Sequence, residues 1–320
     1  MKLLTSLLAL SLTTSLIGCG SNFQTAERSS TDESSSLGTP TVSEPKMASQ
    51  SMLSDLNEQL AVQTTSKLSA SQISAIVASA QMALESANLG KSNDLAAIIP
   101  VIIQGATTGV GTLNIADLVK KSNILALIGD STLNSLVNLS QDEVSTNLIQ
   151  TVTSALFANL KLAGVSSGSQ ATAANTIIQA LIGKLSGKDF DVSSLATVVE
   201  SLAKGSVLGL GKLGNSSTVL QTILSSLGSG SLPGLNQLIS QLGSSNNTST
   251  TLQNLIAAFT SGSNSGLSAI VGSGSGSSTL AKTLLTALMG GIKIAGATSP
   301  TSSVVTSIVG SLLGSFLSKI

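Results

Sequence analysis

The sequence predicts an all-α protein, with many short amphipathic helices in an irregular bundle or solenoid-like array that follows a disordered N-terminal tether. From about residue 69, apolar residues recur at spacings of three and four, which places them along one face of a helix. Breaks rich in Ser, Gly and Asn separate these segments. Hydrophobic residues make up 42% of the chain but aromatic residues only 2%, so the core must be aliphatic.

The first residues are typical of a secretory signal. Met1 and Lys2 give a positive start, and residues 3–17 are apolar or small without a charge. This run is shorter than the ~20 residues that a bilayer-spanning helix needs. It ends at Leu16-Ile17-Gly18-Cys19, which contains the single cysteine of the chain.

Leu16-Ile17-Gly18-Cys19 resembles the lipobox of bacterial lipoproteins, and the resemblance covers residues 1–19 only. It implies cleavage between Gly18 and Cys19, and a Cys19 that carries a diacylglyceryl thioether and an N-acyl chain of the palmitate type. Several acyl chains make a stable anchor, since each buried CH2 contributes ~0.8 kcal/mol. The residue after Cys19 is Gly20. An Asp at this position would resemble an inner-membrane retention signal, so Gly20 favours the outer membrane. The alternative is an ordinary signal peptide with an incidental cysteine.

Four regions follow from these patterns. Residues 1–18 are the predicted signal peptide, and residues 19–50 are the acylated cysteine and a Ser- and Pro-rich tether that buries too little apolar surface to fold. Residues 51–68 are a transitional segment with one weak helix. Residues 69–320 are the helical body, whose predicted apolar segments are residues 73–84, 95–103, 144–160, 177–185, 195–202, 219–227, 235–242, 252–259, 280–288 and 304–317.

Local signals define some of these segments more closely. Ser140 and Glu143 form a capping-box pattern at the start of one helix, and Gly164 is its stop signal. Pro100 should kink its helix or mark its first turn. Similar sequences begin at Ser217, Ser249 and Ser278, which indicates an irregular helical repeat or the chance similarity of low-complexity sequence.

The side-chain inventory excludes several function classes. The chain has no His and one Cys, so a His-containing triad, a His metal site and a multi-Cys zinc site are all ruled out. With 9% charged residues and a net charge of zero, it lacks the basic clusters of a nucleic-acid-binding protein. We therefore expect no enzymatic activity, no catalytic residues, no cofactor, no metal, and infer no small-molecule substrate.

Short motifs that resemble chemical sites are better explained as structure. Gly164–Gly168 fits a hydrolase nucleophile elbow, but a helix precedes it. Ser201–Lys204 fits Ser-x-x-Lys and Gly90–Ser92 fits the end of a phosphate loop, although both lack the rest of their motifs. Asp189 and Asp191 have no third carboxylate nearby for a metal.

Gly-x-x-x-Gly spacing recurs, and in apolar helices it allows backbones to approach closely. Only the last pair, within residues 304–317, has an apolar context. We interpret this segment either as a buried terminal helix or as a contact with a membrane or another copy of the chain. The pairs are Gly105/Gly109, Gly205/Gly209, Gly262/Gly266, Gly272/Gly276 and Gly310/Gly314.

The function that this sequence favours is a non-enzymatic, lipid-anchored cell-envelope protein that acts as a structural scaffold or protein-interaction module. The membrane, through lipidated Cys19, and other envelope proteins are the expected partners. The alternative is a membrane-active or self-assembling helical protein, because no acidic residue follows Glu200 and a surface so poor in charge favours association. A scaffold buries its apolar stripes, whereas a membrane-active chain exposes them.

Overall fold

The computed structural model describes residues 47–62, 68–139, 145–185, 194–241, 248–271, 277–297, 305–307 and 309–310. Within these ranges it contains ten α-helices, one short 3-10 helix and no strand, which confirms the predicted all-α class. All of these residues belong to one compact unit, Pro45–Ile320.

The helices are close to the predicted segments and are mostly longer. The 3-10 helix is Ser167–Ser169, and the α-helices are α1 (Ala48–Val62), α2 (Ala70–Ser86), α3 (Leu95–Thr112), α4 (Leu118–Leu139), α5 (Thr146–Ala158), α6 (Gln170–Gly183), α7 (Leu195–Gly211), α8 (Ser217–Gln241), α9 (Thr248–Val271) and α10 (Ser277–Ala297).

The helices pack in two layers. One layer contains α2, α3, α5, α7 and α9, and the other contains α1, α4, α6, α8 and α10. From α5 onward, each helix has its most extensive contacts with helices two positions away along the chain, so consecutive helices alternate between the layers. This nearest-neighbour packing is the organisation of a solenoid, in agreement with the predicted array.

The helices alternate in direction, so their ends gather at two opposite ends of the stack. The last residues of α1, α3, α5, α7 and α9 lie with the first residues of the helices that follow them, at what we call the Lys161 end. The last residues of α2, α4, α6 and α8 lie with the first residues of α3, α5, α7 and α9, at what we call the Lys184 end. At the Lys161 end, Gly164 and Gly214 close two turns with φ of 70° and 66°, a conformation that a side chain disfavours.

The core between the layers is aliphatic, as predicted. Phe157 and Phe259 are its two large aromatic side chains among the described residues, and Leu, Ile, Val and Ala fill the rest. The α2 stripe is representative, since Ile76, Ala80 and Leu84 are all buried. Because the outer faces are rich in Ser and Thr, which are mediocre helix formers, this packing supplies most of the helical stability.

Helix α4 is the element that the sequence pattern does not predict. It packs against α1, α3, α5 and α6, and most of its residues from Lys121 to Leu136 are buried. A helix surrounded in this way has no single apolar stripe. Two of its buried hydroxyl groups are satisfied within the helix: Ser122 donates to the carbonyl of Leu118 and Thr132 to that of Ile128. A third, Ser131 Oγ, is buried without a hydrogen-bond partner.

Glycine and proline do not end the helices where the sequence suggests breaks. The two segments predicted at 219–227 and 235–242 form the single helix α8, which continues through Pro233. Similarly, α3 continues past Gly105, and Pro100 is its sixth residue rather than part of its first turn. The predicted capping box at Ser140 and Glu143, and most of residues 304–317, lie outside the described residues.

Candidate functional site

The predicted lipidation site lies outside the described residues. Gly18 and Cys19, and the tether that follows them up to residue 46, fall before the first described residue, Met47. Acylation of Cys19 and cleavage after Gly18 therefore stay predictions from the sequence. Helix α1 includes residues 48–50, which the sequence analysis assigns to the tether.

The Gly164–Gly168 motif forms the turn after α5 and leads into the 3-10 helix. Ser166, at the position of the nucleophile, hydrogen-bonds through its Oγ to Ser169 Oγ at 3.0 Å. The segment before it is α5 and its terminal turn, whereas a nucleophile elbow requires a preceding strand. The motif is therefore a connection between two helices.

The Ser-x-x-Lys motif lies within helix α7. Ser201 Oγ donates to the carbonyl oxygen of Thr197 at 2.9 Å, a bond within the helix. Ser201 is also buried. A hydroxyl in this position contributes to the packing of the helix and does not face a cleft.

The Gly90–Ser92 segment joins α2 to α3 and holds the start of α1. Ser49 Oγ donates to the carbonyl of Gly90 at 3.0 Å, and the Ser49 amide donates to the carbonyl of Ser92 at 3.2 Å. The amide of Ala48 donates to Asn93 Oδ1 at 2.9 Å. The two bonds from the amides of Ala48 and Ser49 satisfy N–H groups that would otherwise have no partner at the start of α1.

Carboxylates do not assemble into a metal site in the described part of the chain. No group of three or more His, Cys, Asp or Glu residues there is arranged to hold a metal ion. Asp189 and Asp191 lie outside the described residues. Among the described carboxylates, Asp130 Oδ2 lies 3.1 Å from Lys184 Nζ, and Asp55 Oδ2 accepts a 2.7 Å bond from Ser135 Oγ.

Three of the predicted glycine pairs lie at close backbone contacts between helices of one layer. A Cβ built on Gly105 would lie 2.6 Å from Ala80 Cα in α2, and one on Gly109 would lie 2.8 Å from Ile76 Cα. In α7, a Cβ on Gly209 would lie 2.5 Å from the carbonyl oxygen of Ser154 in α5. In α9, a Cβ on Gly266 would lie 3.0 Å from the carbonyl oxygen of Lys204 in α7.

Close backbone contact does not follow the apolar context by which the last glycine pair was distinguished. A Cβ on Gly310 would meet no atom within 4 Å, while Gly314 and the pair Gly272/Gly276 lie outside the described residues. A fourth close contact involves Gly230 and Gly234, where a Cβ on Gly234 would lie 2.8 Å from the carbonyl oxygen of Gln179 in α6. The same four-residue spacing is present there in the sequence, so the signal was available.

We consider two grooves on the described surface. One, of about 420 Å³, lies between α2 and α3 and includes Met82, Val101 and Gln104 in its lining. It contains no ionisable side chain. The other, of about 270 Å³, includes Leu53, Glu85 and Lys91 in its lining.

Large apolar side chains are exposed at four described positions, and three of these are at the Lys161 end. Val62 ends α1 and is 67% exposed, Val119 begins α4 and is 53% exposed, and Leu162 follows α5 and is 43% exposed. The fourth, Met82, is 59% exposed and lies beside the first groove.

Lysines at the Lys161 end are held by neighbouring connections. Lys161 Nζ donates to the carbonyl oxygen of Leu213, which links the α5–α6 and α7–α8 connections. Lys121 Nζ lies 3.5 Å from the carbonyl oxygen of Gly164. These bonds fix both ammonium groups at this end of the stack.

Helix α3 is the one described helix that is long and apolar enough to cross a membrane. Half of its apolar window is buried inside the protein, where α3 packs on α2 and α5.

Comparison with known proteins gives no relative for this chain. No family model, no curated protein and no solved structure matches it.

Proposed function

We propose that this chain is a non-enzymatic, lipid-anchored protein of the bacterial cell envelope, held at the outer membrane, whose helical stack is a scaffold or protein-interaction module. The observation that carries the proposal is the combination of a lipobox-like sequence at the single cysteine, Cys19, with a body whose apolar stripes face inward. The first supplies an anchor, and the second supplies a rigid body with a polar surface.

The position of the stripes favours a scaffold over a membrane-active chain. After Glu200 the chain has no acidic residue. In this region, the stripe residues Leu252, Ile256 and Phe259 of α9 are buried against neighbouring helices. The same holds for Leu284 and Leu288 of α10. A helix that inserts into a bilayer needs these residues on its surface.

A layered helical stack also suits a role in binding other proteins. Stacked helix pairs present long, continuous surfaces, which solenoid proteins use to hold partners. Here those surfaces are lined by Ser, Thr, Asn and Gln, so a partner would be recognised mainly through hydrogen bonds and shape.

A non-catalytic role is supported by what the serines of the candidate motifs do. Ser201 donates to a carbonyl of its own helix, and Ser166 bonds to Ser169. Both hydroxyls are thus engaged in local hydrogen bonds, within a helix and within a turn.

Acylation is tested by labelling with palmitate in a bacterial host. We expect label on the full chain and none on Cys19→Ser, because no other cysteine is present. Ser21→Ala, which changes a neighbouring residue outside the lipobox, is the control and should keep the label. Equal labelling of the Cys19→Ser variant would refute the anchor.

The scaffold role is tested with the chain from residue 19 onward carrying Cys19→Ser, so that no lipid is attached. We expect a helical monomer by circular dichroism and sedimentation that does not float with uncharged phosphatidylcholine vesicles. Flotation with these vesicles, or sedimentation as an oligomer, would favour the membrane-active or self-assembling alternative.

A further inference from the structure

We propose that the Lys161 end is a docking surface for anionic phospholipid headgroups, which orients the helical stack on the bilayer. The proposal rests on the proposed function only in requiring that a membrane be near. It concerns a different part of the molecule from Cys19, and it does not involve the apolar stripes of α9 and α10.

Charge at this end has one predominant sign. The α3–α4, α5–α6 and α7–α8 connections with their flanking residues, 113–121, 158–169 and 211–217, contain four lysines and one aspartate. The aspartate, Asp117, is used locally: its Oδ1 accepts bonds from the amides of Val119 at 2.9 Å and Lys120 at 3.2 Å, which cap α4. The four lysines are Lys120, Lys121, Lys161 and Lys212.

The fold holds the ammonium groups in position and leaves them able to bind phosphate. Lys161 donates to the carbonyl of Leu213, and Lys212 Nζ lies 3.4 Å from Ser154 Oγ. Because an ammonium has three donors, one such bond leaves two for a phosphate oxygen. Both lysines are exposed, whereas Lys121 is 9% exposed and contributes charge rather than contact.

Exposed aliphatic side chains alternate with these lysines. Val119 precedes Lys120 and Leu162 follows Lys161, and they are 53% and 43% exposed. Lysine beside exposed aliphatic residues is the composition that binds the membrane interface, where ammonium groups meet lipid phosphates and apolar groups enter the acyl boundary. This combination favours a lipid surface over an acidic protein as the partner.

The described residues at the Lys184 end lack this combination. Its α2–α3 connection contains Lys91 together with Asp94, and Glu85 is in the last turn of α2. Lys184 is paired with the buried carboxylate of Asp130. None of the four exposed large apolar side chains lies on these connections.

The predicted anchor does not prevent this orientation. The chain enters the stack at the start of α1, Ala48, which is at the Lys184 end. Residues 20–46 reach roughly 90 Å when fully extended. The longest helix, α8, has 25 residues, or about 38 Å at 1.5 Å per residue. The tether is therefore long enough for the Lys161 end to face the bilayer.

The test is flotation of the unacylated chain, residue 19 onward with Cys19→Ser, with phosphatidylglycerol-containing and pure phosphatidylcholine vesicles. We expect flotation only with the anionic vesicles, weakening as salt is raised. Lys161→Gln with Lys212→Gln should weaken the partition coefficient roughly 30-fold, since each basic residue at such a surface is worth about 1 kcal/mol. Val119→Ser with Leu162→Ser should also weaken it.

Matched controls come from parts of the protein surface outside the Lys161 end. Lys91→Gln removes an exposed lysine at the Lys184 end, and Met82→Ser removes an exposed apolar side chain beside the α2–α3 groove; both should float like the parent. Lys161→Arg with Lys212→Arg keeps the charge and should also float, which separates charge from any effect on folding.

Three results would overturn the proposal: no flotation with anionic vesicles, equal flotation with both vesicle types, or equal losses from the control and test variants. Because the chain used has no lipid, none of these results bears on acylation of Cys19. Failure of palmitate labelling would likewise leave the flotation result standing.

Discussion

The close contact between α2 and α3 makes Gly105→Ala a sensitive test of the layer packing. The added Cβ would lie 2.6 Å from Ala80 Cα, 2.7 Å from the Ser79 carbonyl oxygen and 2.8 Å from Ala83 Cβ. Two of these three atoms belong to the α2 backbone, so the helices must separate. Overpacking of this kind costs about 1–3 kcal/mol, while alanine gains about 1 kcal/mol in helix propensity over glycine.

We therefore expect a net loss of up to roughly 2 kcal/mol in the free energy of unfolding for Gly105→Ala. The assay is urea unfolding of the unacylated chain, followed by ellipticity at 222 nm, with unchanged transition slopes as a condition for comparison.

Gly290→Ala is the matched control. It is also inside a helix, α10, but a Cβ there would meet no neighbouring atom within 4 Å. This variant should be more stable by about 0.5–1 kcal/mol, from helix propensity alone. If Gly105→Ala were as stable as Gly290→Ala, the close α2–α3 contact would be refuted.

Two further predictions concern capping and charge. Asp94→Ala should lower the free energy of unfolding by about 1 kcal/mol, because Asp94 Oδ1 accepts bonds from the amides of Ala96 and Ala97 at the start of α3; an unchanged urea midpoint would contradict this. Lys184→Ala should cost about 2 kcal/mol, since it removes the ammonium 3.1 Å from the carboxylate of Asp130, whose side chain is 7% exposed. The double variant Asp130→Asn with Lys184→Gln should cost less than Lys184→Ala, and an equal or larger loss would contradict the reasoning.

The fold class could be predicted because each outer helix carries its own periodic stripe. The residues of α2, α6 and α7 that the spacing places on one face are the ones that the structure buries. Helix α4 escaped the same reasoning because it is enclosed on most sides. When most positions of a helix face protein, the sequence shows no single stripe.

The extent of the helices could not be predicted from local signals. Glycine normally weakens a helix, so Gly228, Gly230 and Pro233 suggest a break within α8. The structure shows the glycines at close backbone contacts: a Cβ on Gly230 would clash with the backbone of Asn175 in α6. Tertiary contact thus reverses the local preference, and it depends on residues more than 50 positions away.

The candidate sites also differ in whether the sequence alone could predict them. The exclusion of the Gly164 and Ser201 motifs could be argued from the sequence, since the chain has no His for the first and no Lys-Thr-Gly sequence for the second. The cluster of lysines at the Lys161 end could not be predicted from the sequence, because Lys121, Lys161 and Lys212 lie beside three separate connections. Only the alternation of helices between layers brings them together.

The central claim, that this helical body is tethered to a membrane through Cys19, is tested most directly by the mass of the N-terminal peptide of the protein purified from a bacterial membrane fraction. We predict a chain that begins at Cys19, with a diacylglyceryl group on sulfur and an acyl chain on the amino group. A chain that begins elsewhere, or that carries Cys19 as a free thiol, would contradict the account.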